Sequence, residues 1–288
     1  MLLAIDIGNT NIVIAIFDKN KIKKEWRMHT DSNRTADEYG GLLRIFFAEE
    51  SISTEDITGG ILSSVVPLLI GPFINLMTQI IGEKPILVGP AIYEKLPVSV
   101  PPTAINEIGT DLVANAVQVY TEYKKPCIIA DFGTALTFTA IVDDEKTGKG
   151  KIAGVAITPG IRTAVNSLFT NTAQLPSVPL EAPANTLGTN TIHSIQAGII
   201  LGYKGLVESM VKQMKQDMKA SCCGAKIASD DKATADKATA DSENYDEPIV
   251  IATGGLNSVL KPITNVFDKI DKQLTLKGLK TIYELLTS

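Results

Sequence analysis

Histidine is almost missing from this chain of 288 residues: His29 and His193 are the only two and lie far apart in sequence. A histidine-based metal site or a Ser-His-Asp triad therefore has little to build on, and both are expected at the surface. Cysteine is as sparse. Cys127 sits in an apolar run, while Cys222 and Cys223 are adjacent in a polar segment. That arrangement suits neither a disulfide framework nor a zinc spacing, so reduced thiols are expected. No apolar stretch approaches the roughly 20 residues needed to cross a bilayer. The run that begins at Leu2 follows Met1 with no basic segment before it, so a cytoplasmic location and no membrane partner are expected. Runs of Lys and Arg are absent too, and a net charge of −5 with a pI near 5.2 argues against nucleic acid as the partner. Finally, there is no G-x-x-x-x-G-K-[ST] string, so any phosphate chemistry must proceed without a Walker lysine.

What the chain does hold is one pattern written twice. Leu2-Leu3-Ala4-Ile5 leads into Asp6-Ile7-Gly8-Asn9-Thr10, and Cys127-Ile128-Ile129-Ala130 leads into Asp131-Phe132-Gly133-Thr134-Ala135. A second apolar run leaves each, Ile12 to Phe17 and Leu136 to Val142. This reads as strand, tight turn, strand, twice in one chain. A glycine lets backbone N–H groups approach a phosphate closely, the hydroxyls of Thr10, Thr134 or Thr137 can donate further hydrogen bonds, and an aspartate can hold a cation or orient its water. One D-x-G is no more than a turn signal. Two copies with the same flanks point to a pair of phosphate clamps.

Length and a hydrophobic content of 44% predict two domains of roughly 110 to 170 residues. The first half reads as a hairpin over Leu2–Phe17, a strand near 22–28, a helix over 36–50, a strand over 60–65 and a helix after Pro67. Thr35 with Glu38 has capping-box spacing, and Pro67 suits a first helical turn. Pro101-Pro102 marks an extended stretch running into Gly109-Thr110-Asp111-Leu112, after which a helix crosses toward the second half. Asp111, placed before that helix, is a natural N-cap, and Asn190-Thr191 likewise precedes a helix expected over about 191–219. The second half repeats the opening, with a helix expected from Gly160 to Thr172. Residues 221–246 are polar and carry the direct repeat DKATA at 231–235 and 236–240, which reads as a flexible insertion.

Taken together, several strings resemble the type III pantothenate kinase family, within the superfamily of acetate and sugar kinases, actin and the heat-shock ATPases. They are Asp6-Ile7-Gly8-Asn9-Thr10-Asn11, Ser63-Ser64-Val65-Val66-Pro67, Gly109-Thr110-Asp111, Asp131-Phe132-Gly133-Thr134-Ala135, Thr158-Pro159-Gly160-Ile161, Leu175-Pro176, Gly188-Thr189-Asn190-Thr191, Ala252-Thr253-Gly254-Gly255-Leu256 and Leu274-Thr275-Leu276-Lys277-Gly278-Leu279. The resemblance runs nearly end to end apart from the insertion.

It implies an α/β fold of two duplicated ribonuclease H-like, actin-like ATPase domains, each a mixed five-stranded sheet flanked by helices, with an ATP cleft between them. The domains are expected at 1–115 and 116–288. It implies ATP-dependent phosphorylation of pantothenate to 4′-phosphopantothenate, the first step of coenzyme A biosynthesis, by a homodimer using Mg²⁺ and a monovalent cation, K⁺ or NH₄⁺. Asp111 matches the family's general base. Asp6, Ile7, Gly8, Asn9, Thr10, Asn11, Ile12 and Val13 match the first ATP-binding stretch, with Thr134 as a second ATP contact. Gly109, Thr110, Asp111, Leu112 and Thr191 match substrate contacts, Thr191 acting across the dimer interface, and Asp131 matches the ligand of the monovalent cation.

The chain departs from the family at three places. Leu112 stands where the family carries an arginine, Pro102 where it carries a substrate-contacting tyrosine, and Val155 where a second glycine is common. All three lie on the acceptor side, which leaves two other readings open: a kinase of another small hydroxyl compound, and a non-catalytic regulatory protein on the same fold.

Overall fold

The computed structural model describes residues 1–171, 176, 178–222, 246–255 and 257–288. The DKATA repeat, Cys223, Thr172, Leu175 and Leu256 lie outside the described residues. Two compact units are present, one made of Met1–Glu122 with Gln273–Ser288 and the other of Tyr123–Lys272.

The first unit is built on a five-stranded sheet in the order β3-β2-β1-β4-β5. Its strands are β1 (Leu2–Ile7), β2 (Asn11–Asp18), β3 (Lys21–His29), β4 (Gly59–Ser64) and β5 (Ile86–Leu87), and a short further strand, β6 (Val98–Ser99), follows. Helices α1 (Ala36–Glu49), α2 (Pro67–Ile81), α3 (Pro90–Tyr93) and α4 (Thr110–Tyr123) complete the part before the crossing to the second unit. Local chemistry sets the ends of the first two. Thr35 caps α1, accepting from the Glu38 N–H, and the Glu38 carboxylate accepts from the Thr35 N–H at 2.8 Å, the reciprocal box expected from the spacing. Pro67 opens α2, where a missing N–H costs nothing. Leu3, Ile5, Ile7, Ile12, Ile14 and Ile16 alternate with sheet periodicity, and all six are fully buried beneath Tyr39, Leu43, Phe73 and Met77 of the covering helices.

The second unit has strands β7 (Cys127–Phe132), β8 (Ala135–Asp144), β9 (Lys149–Pro159), β10 (Ile249–Gly254) and β11 (Lys269–Ile270), in the order β11-β10-β7-β8-β9. Helix α5 is Ile161–Thr170. Helices α6 (Thr191–Gln196) and α7 (Gly202–Cys222) are joined by a π-helical stretch at Ala197–Leu201, which yields the single long run expected there. A short helix, α8 (Asn257–Leu260), precedes β11. The core of this unit gathers Ile128, Ala130, Phe132, Leu136 and Phe138 from the hairpin with Ile200, Val207 and Val211 from the long helical run.

The two sheets share one design. In each, the central strand pairs antiparallel with its hairpin partner, β1 with β2 and β7 with β8. On its other side it pairs parallel with a strand arriving from a crossover, β1 with β4 and β7 with β10. The Gly8 N–H donates to the Asn11 carbonyl at 3.0 Å, and the Gly133 N–H to that of Ala135, also at 3.0 Å. The second turn is one residue shorter, since Ile7 faces Ile12 whereas Phe132 faces Leu136.

The units divide differently from the boundary expected at 115/116. Helix α4 belongs to the first unit as far as Glu122, and the last helix, α9 (Leu274–Thr287), belongs to it whole. The reason lies in one face of α9. Thr275 donates to the Asn115 side-chain carbonyl at 2.9 Å and Thr281 to that of Gln118 at 2.7 Å. Between them Gly278 lies against α4 so closely that a Cβ would stand 2.1 Å from the Ala114 carbonyl oxygen. Any side chain there forces the helices apart. Gly278→Ala is accordingly expected to destabilise the protein by about 1–3 kcal/mol, as overpacking does elsewhere. Urea unfolding checks this, and an unchanged midpoint would show that α9 does not need the contact.

Candidate active site

The first hairpin places its residues in two classes. Ile7 and Ile12 are fully buried and belong to the core, so their side chains are closed to a ligand and only their backbone can serve one. Asn9, Thr10 and Asn11 are exposed at the turn, with Gly8, Asp6 and Val13 partly so. Thr30 pins the turn, its hydroxyl donating to the Gly8 carbonyl at 2.7 Å and its N–H to that of Thr10 at 2.9 Å.

Register carries the site inward. Asp6 on β1 stands opposite Ser63 on β4, and the Ser63 hydroxyl donates to Asp6 Oδ1 at 2.8 Å. Ser63 Oγ also lies 2.9 Å from Thr110 Oγ1 at the start of α4. Ser63 is fully buried. Its neighbour Ser64 has a different task, bonding the N–H and carbonyl of Val66 at 3.0 and 3.1 Å and so shaping the turn into α2. Within the first unit, therefore, Asp6, Ser63, Thr110 and Asp111 form one connected group. Sequence reasoning quoted Ser63 in a motif without giving it a task; the signal available was a serine at a strand end before a helix.

Asp111 is not the cap that its position before a helix allowed. Helix α4 begins at Thr110, and Asp111 Oδ1 accepts from the N–H of the next residue, Leu112, at 2.9 Å. Its carboxylate folds back over Gly109: a Cβ on that glycine would come within 2.4 Å of Oδ1. A side chain at position 109 would therefore move the Asp111 carboxylate from this place. Desolvation raises the Asp111 carboxyl above the usual carboxylate range, against the lowering effect of the backbone N–H groups of Leu112 and Asp111. Nearby, burial and then the Asp111 charge push the Tyr93 phenol up to about 12. Tyr93 is buried, and nothing in the sequence singled it out. Leu112 is buried at 8% exposure, so this position faces the interior. Pro102 is exposed in a short 3₁₀ turn.

In the second unit Asp131 occupies the position on β7 that Asp6 has on β1, facing Thr137 on β8 and Thr253 on β10. Among the described residues, the Thr137 hydroxyl is one of two buried side-chain oxygens without a hydrogen-bond partner. Thr134 is exposed at the turn, and its carbonyl accepts from the Gly160 N–H at 2.9 Å and the Thr163 hydroxyl at 2.7 Å, which fixes the turn against the start of α5. Thr191 is elsewhere in this unit. It lines a cavity of about 520 Å³ with Leu168, Gly188, Asn190 and Ile195, while Asn190, accepting from the His193 N–H at 3.0 Å, is the cap of α6. His29 and His193 are exposed, and Cys127 is a buried free thiol, as expected. Among the described residues no helix is long and apolar enough to cross a membrane, and no cluster of three or more His, Cys, Asp or Glu is placed to hold a metal.

The raised Asp111 carboxyl has a cost in stability. The folded protein holds it above its unfolded value, so between the two values the unfolded chain binds fewer protons and stability falls as pH rises through that window. The cost grows as pH rises above the unfolded value and is complete only once pH has passed the folded one. Asp111→Asn is expected to raise the thermal midpoint at pH 7 and to leave it unchanged below about pH 3, where both forms are neutral. Calorimetry at the two pH values checks this, and a lower midpoint for the variant at pH 7 would contradict it.

The same geometry has known relatives. The chain is 38% identical over 284 residues, 99% of its own length and 99% of the relative's, to the type III pantothenate kinase of Moorella thermoacetica. Among solved structures it is similar to a candidate Baf family transcriptional activator from Campylobacter jejuni, with a TM-score of 0.54, 16% identity, and coverage of 98% of this chain and 97% of that one. It is also similar to MreB 5 of Spiroplasma citri bound to AMPPNP, with a TM-score of 0.50, 9% identity, and coverage of 99% and 96%. These two likenesses speak for the fold alone, an actin-like ATPase fold of two ribonuclease H-like domains. The type III pantothenate kinase family itself matches residues 2–213, and with that match and the Moorella relative spanning almost the whole chain, this protein belongs to the type III pantothenate kinase family.

Proposed function

We propose that the chain transfers the γ-phosphoryl group of ATP to the primary hydroxyl of pantothenate, giving 4′-phosphopantothenate and ADP, with Asp111 as general base. The observation that carries the base assignment is the Asp111 carboxylate itself. It is held over Gly109 at the start of α4, has a raised pKa, and is joined through Thr110 and Ser63 to the aspartate of the phosphate turn. A base poised nearer neutrality accepts a proton more readily than an ordinary carboxylate. As the acceptor oxygen bonds to the γ-phosphorus, its proton passes to Asp111, the bond from that phosphorus to the β–γ bridging oxygen breaks, and ADP leaves with the electron pair.

The backbone of Gly8 to Asn11 and the hydroxyl of Thr10 receive phosphate oxygens, and Thr134 makes a second contact. Asp6 suits Mg²⁺, which would neutralise phosphate charge, because Ser63 already orients one of its oxygens. Asp131 with the unpartnered Thr137 hydroxyl offers oxygen ligands of the kind a monovalent cation takes, K⁺ or NH₄⁺, and such a cation would add positive charge where the chain has no Walker lysine. Gly109, Thr110 and the Leu112 backbone hold the acceptor on the Asp111 side, and Thr191 is the contact supplied across a homodimer. The protein works in the cytoplasm. Ile7, Ile12 and Val13 complete the ATP-binding stretch, Ile7 and Ile12 through their backbone because their side chains are buried.

Turnover, pH dependence and ion dependence test this reading. Pantothenate-dependent ADP release is expected to fall by about 10²–10⁴-fold in Asp111→Asn, with ATP affinity kept, because the variant loses a proton acceptor and nothing that meets the nucleotide. The acid limb of kcat/KM should lie above the ordinary aspartate value of about 3.9. Turnover close to that of the wild type would remove Asp111 from the base role. Replacing K⁺ by Na⁺ is expected to lower activity in the wild type and to make little difference in Asp131→Asn. A wild-type enzyme indifferent to the ion would remove the cation from Asp131.

A further inference from the structure

The buried Ser63 lies between two groups to which the reaction gives separate tasks. Asp6 belongs to the phosphate turn and Thr110 to the motif that carries the base. Ser63 Oγ is 2.8 Å from Asp6 Oδ1 and 2.9 Å from Thr110 Oγ1, and the side chain is fully buried, so water does not compete for either bond.

Proton counting gives this arrangement a direction. A serine hydroxyl has one proton and can accept through its oxygen, whereas an ionised carboxylate only accepts. The Ser63 proton is committed to Asp6, so the 2.9 Å contact to Thr110 can be a hydrogen bond only if Thr110 donates. The order is Thr110 O–H to Ser63 Oγ, then Ser63 O–H to Asp6. The Thr110 rotamer is thereby fixed with its proton toward Asp6, and Asp111 is the next residue along the same helix turn. The other neighbour of the motif is just as constrained, because Gly109 lies directly under the Asp111 carboxylate.

We propose that Ser63 is a positioning residue for phosphoryl transfer: through this directed pair of hydrogen bonds it holds the acceptor motif Gly109-Thr110-Asp111 at a fixed place relative to the Asp6 carboxylate of the phosphate turn. Ser63 touches neither substrate. Its effect falls on the alignment of the attacking hydroxyl with the γ-phosphorus, where displacements well under an ångström are costly. The inference rests on the kinase reading given above.

The test is a double-mutant cycle on Ser63→Ala and Thr110→Val, with kcat, both KM values, the dissociation constant for Mg·ATP and the thermal midpoint measured for each protein. Ser63→Ala is expected to lower kcat and kcat/KM together by about 10- to 100-fold, the signature of a loss felt in the transition state and not in substrate binding, with both KM values within about threefold of wild type. Thr110→Val removes the same bond from the other end without an alteration at Ser63. The double variant should be no slower than the worse single one, and Thr110→Ser should recover most of what Thr110→Val loses. A purely structural serine would lower the thermal midpoint and the active fraction while leaving kcat per folded molecule alone. That result, or strictly multiplicative losses in the cycle, overturns the proposal. A wild type with no pantothenate-dependent ADP release overturns the kinase reading, and the inference with it. A wild type that turns over while Ser63→Ala matches it overturns the inference alone.

Discussion

The constraint on which the rest depends is the double pairing of each central strand. β1 is antiparallel to β2 and parallel to β4, so the carboxyl end of β1 coincides with a tight turn on one side and with the exit of a crossover strand on the other. A side chain at that point meets both. Asp6 is there, and its two cross-strand neighbours are Val13 and Ser63, one leading back to the turn and the other to the covering helices. The second unit repeats the arrangement with Asp131 between Thr137 and Thr253. A polar group at the end of a buried strand is tolerable because its hydrogen bonds are made across the sheet.

Chemically the two copies have diverged through their neighbours rather than through the aspartate. In the first unit the carboxylate has a serine that donates to it and is in turn bonded to α4. In the second, the Thr137 hydroxyl across from the carboxylate is buried and lacks a hydrogen-bond partner, so it does not brace the aspartate as Ser63 does. One scaffold thus appears twice, and the residues at the cross-strand positions give its two aspartates different surroundings.

Much of this was legible in the sequence, and the reasons are physical. Hairpins, the capping box at Thr35 and the opening of α2 at Pro67 are local events, fixed by residues a few positions apart, and they stand where the spacing put them. The motif strings carried the family. Contacts between residues far apart in sequence were not legible. Thr275 meets Asn115 and Thr281 meets Gln118 across a separation of about 160 residues, so no local pattern places α9 with the first unit. Ser63 and Tyr93 matter through what they face, which is settled by strand register and helix packing rather than by their immediate neighbours in the chain.

The substitution of leucine for the family's arginine looks different once position 112 is seen from the inside. On α4 every residue from Leu112 to Val117 is buried, so this part of the helix is enclosed all round rather than amphipathic. A guanidinium in such a place would have to be desolvated or be drawn out along its stem, whereas leucine fills the volume at no electrostatic cost. The main-chain N–H of Leu112 meanwhile does what a side chain at this site could not, donating to Asp111 at 2.9 Å and holding that carboxylate over Gly109. Position 112 therefore holds the Asp111 carboxylate through its backbone and serves the fold through its side chain. No charged side chain enters from position 112, so the electrostatics at the Asp111 carboxylate are set by burial and by backbone N–H groups.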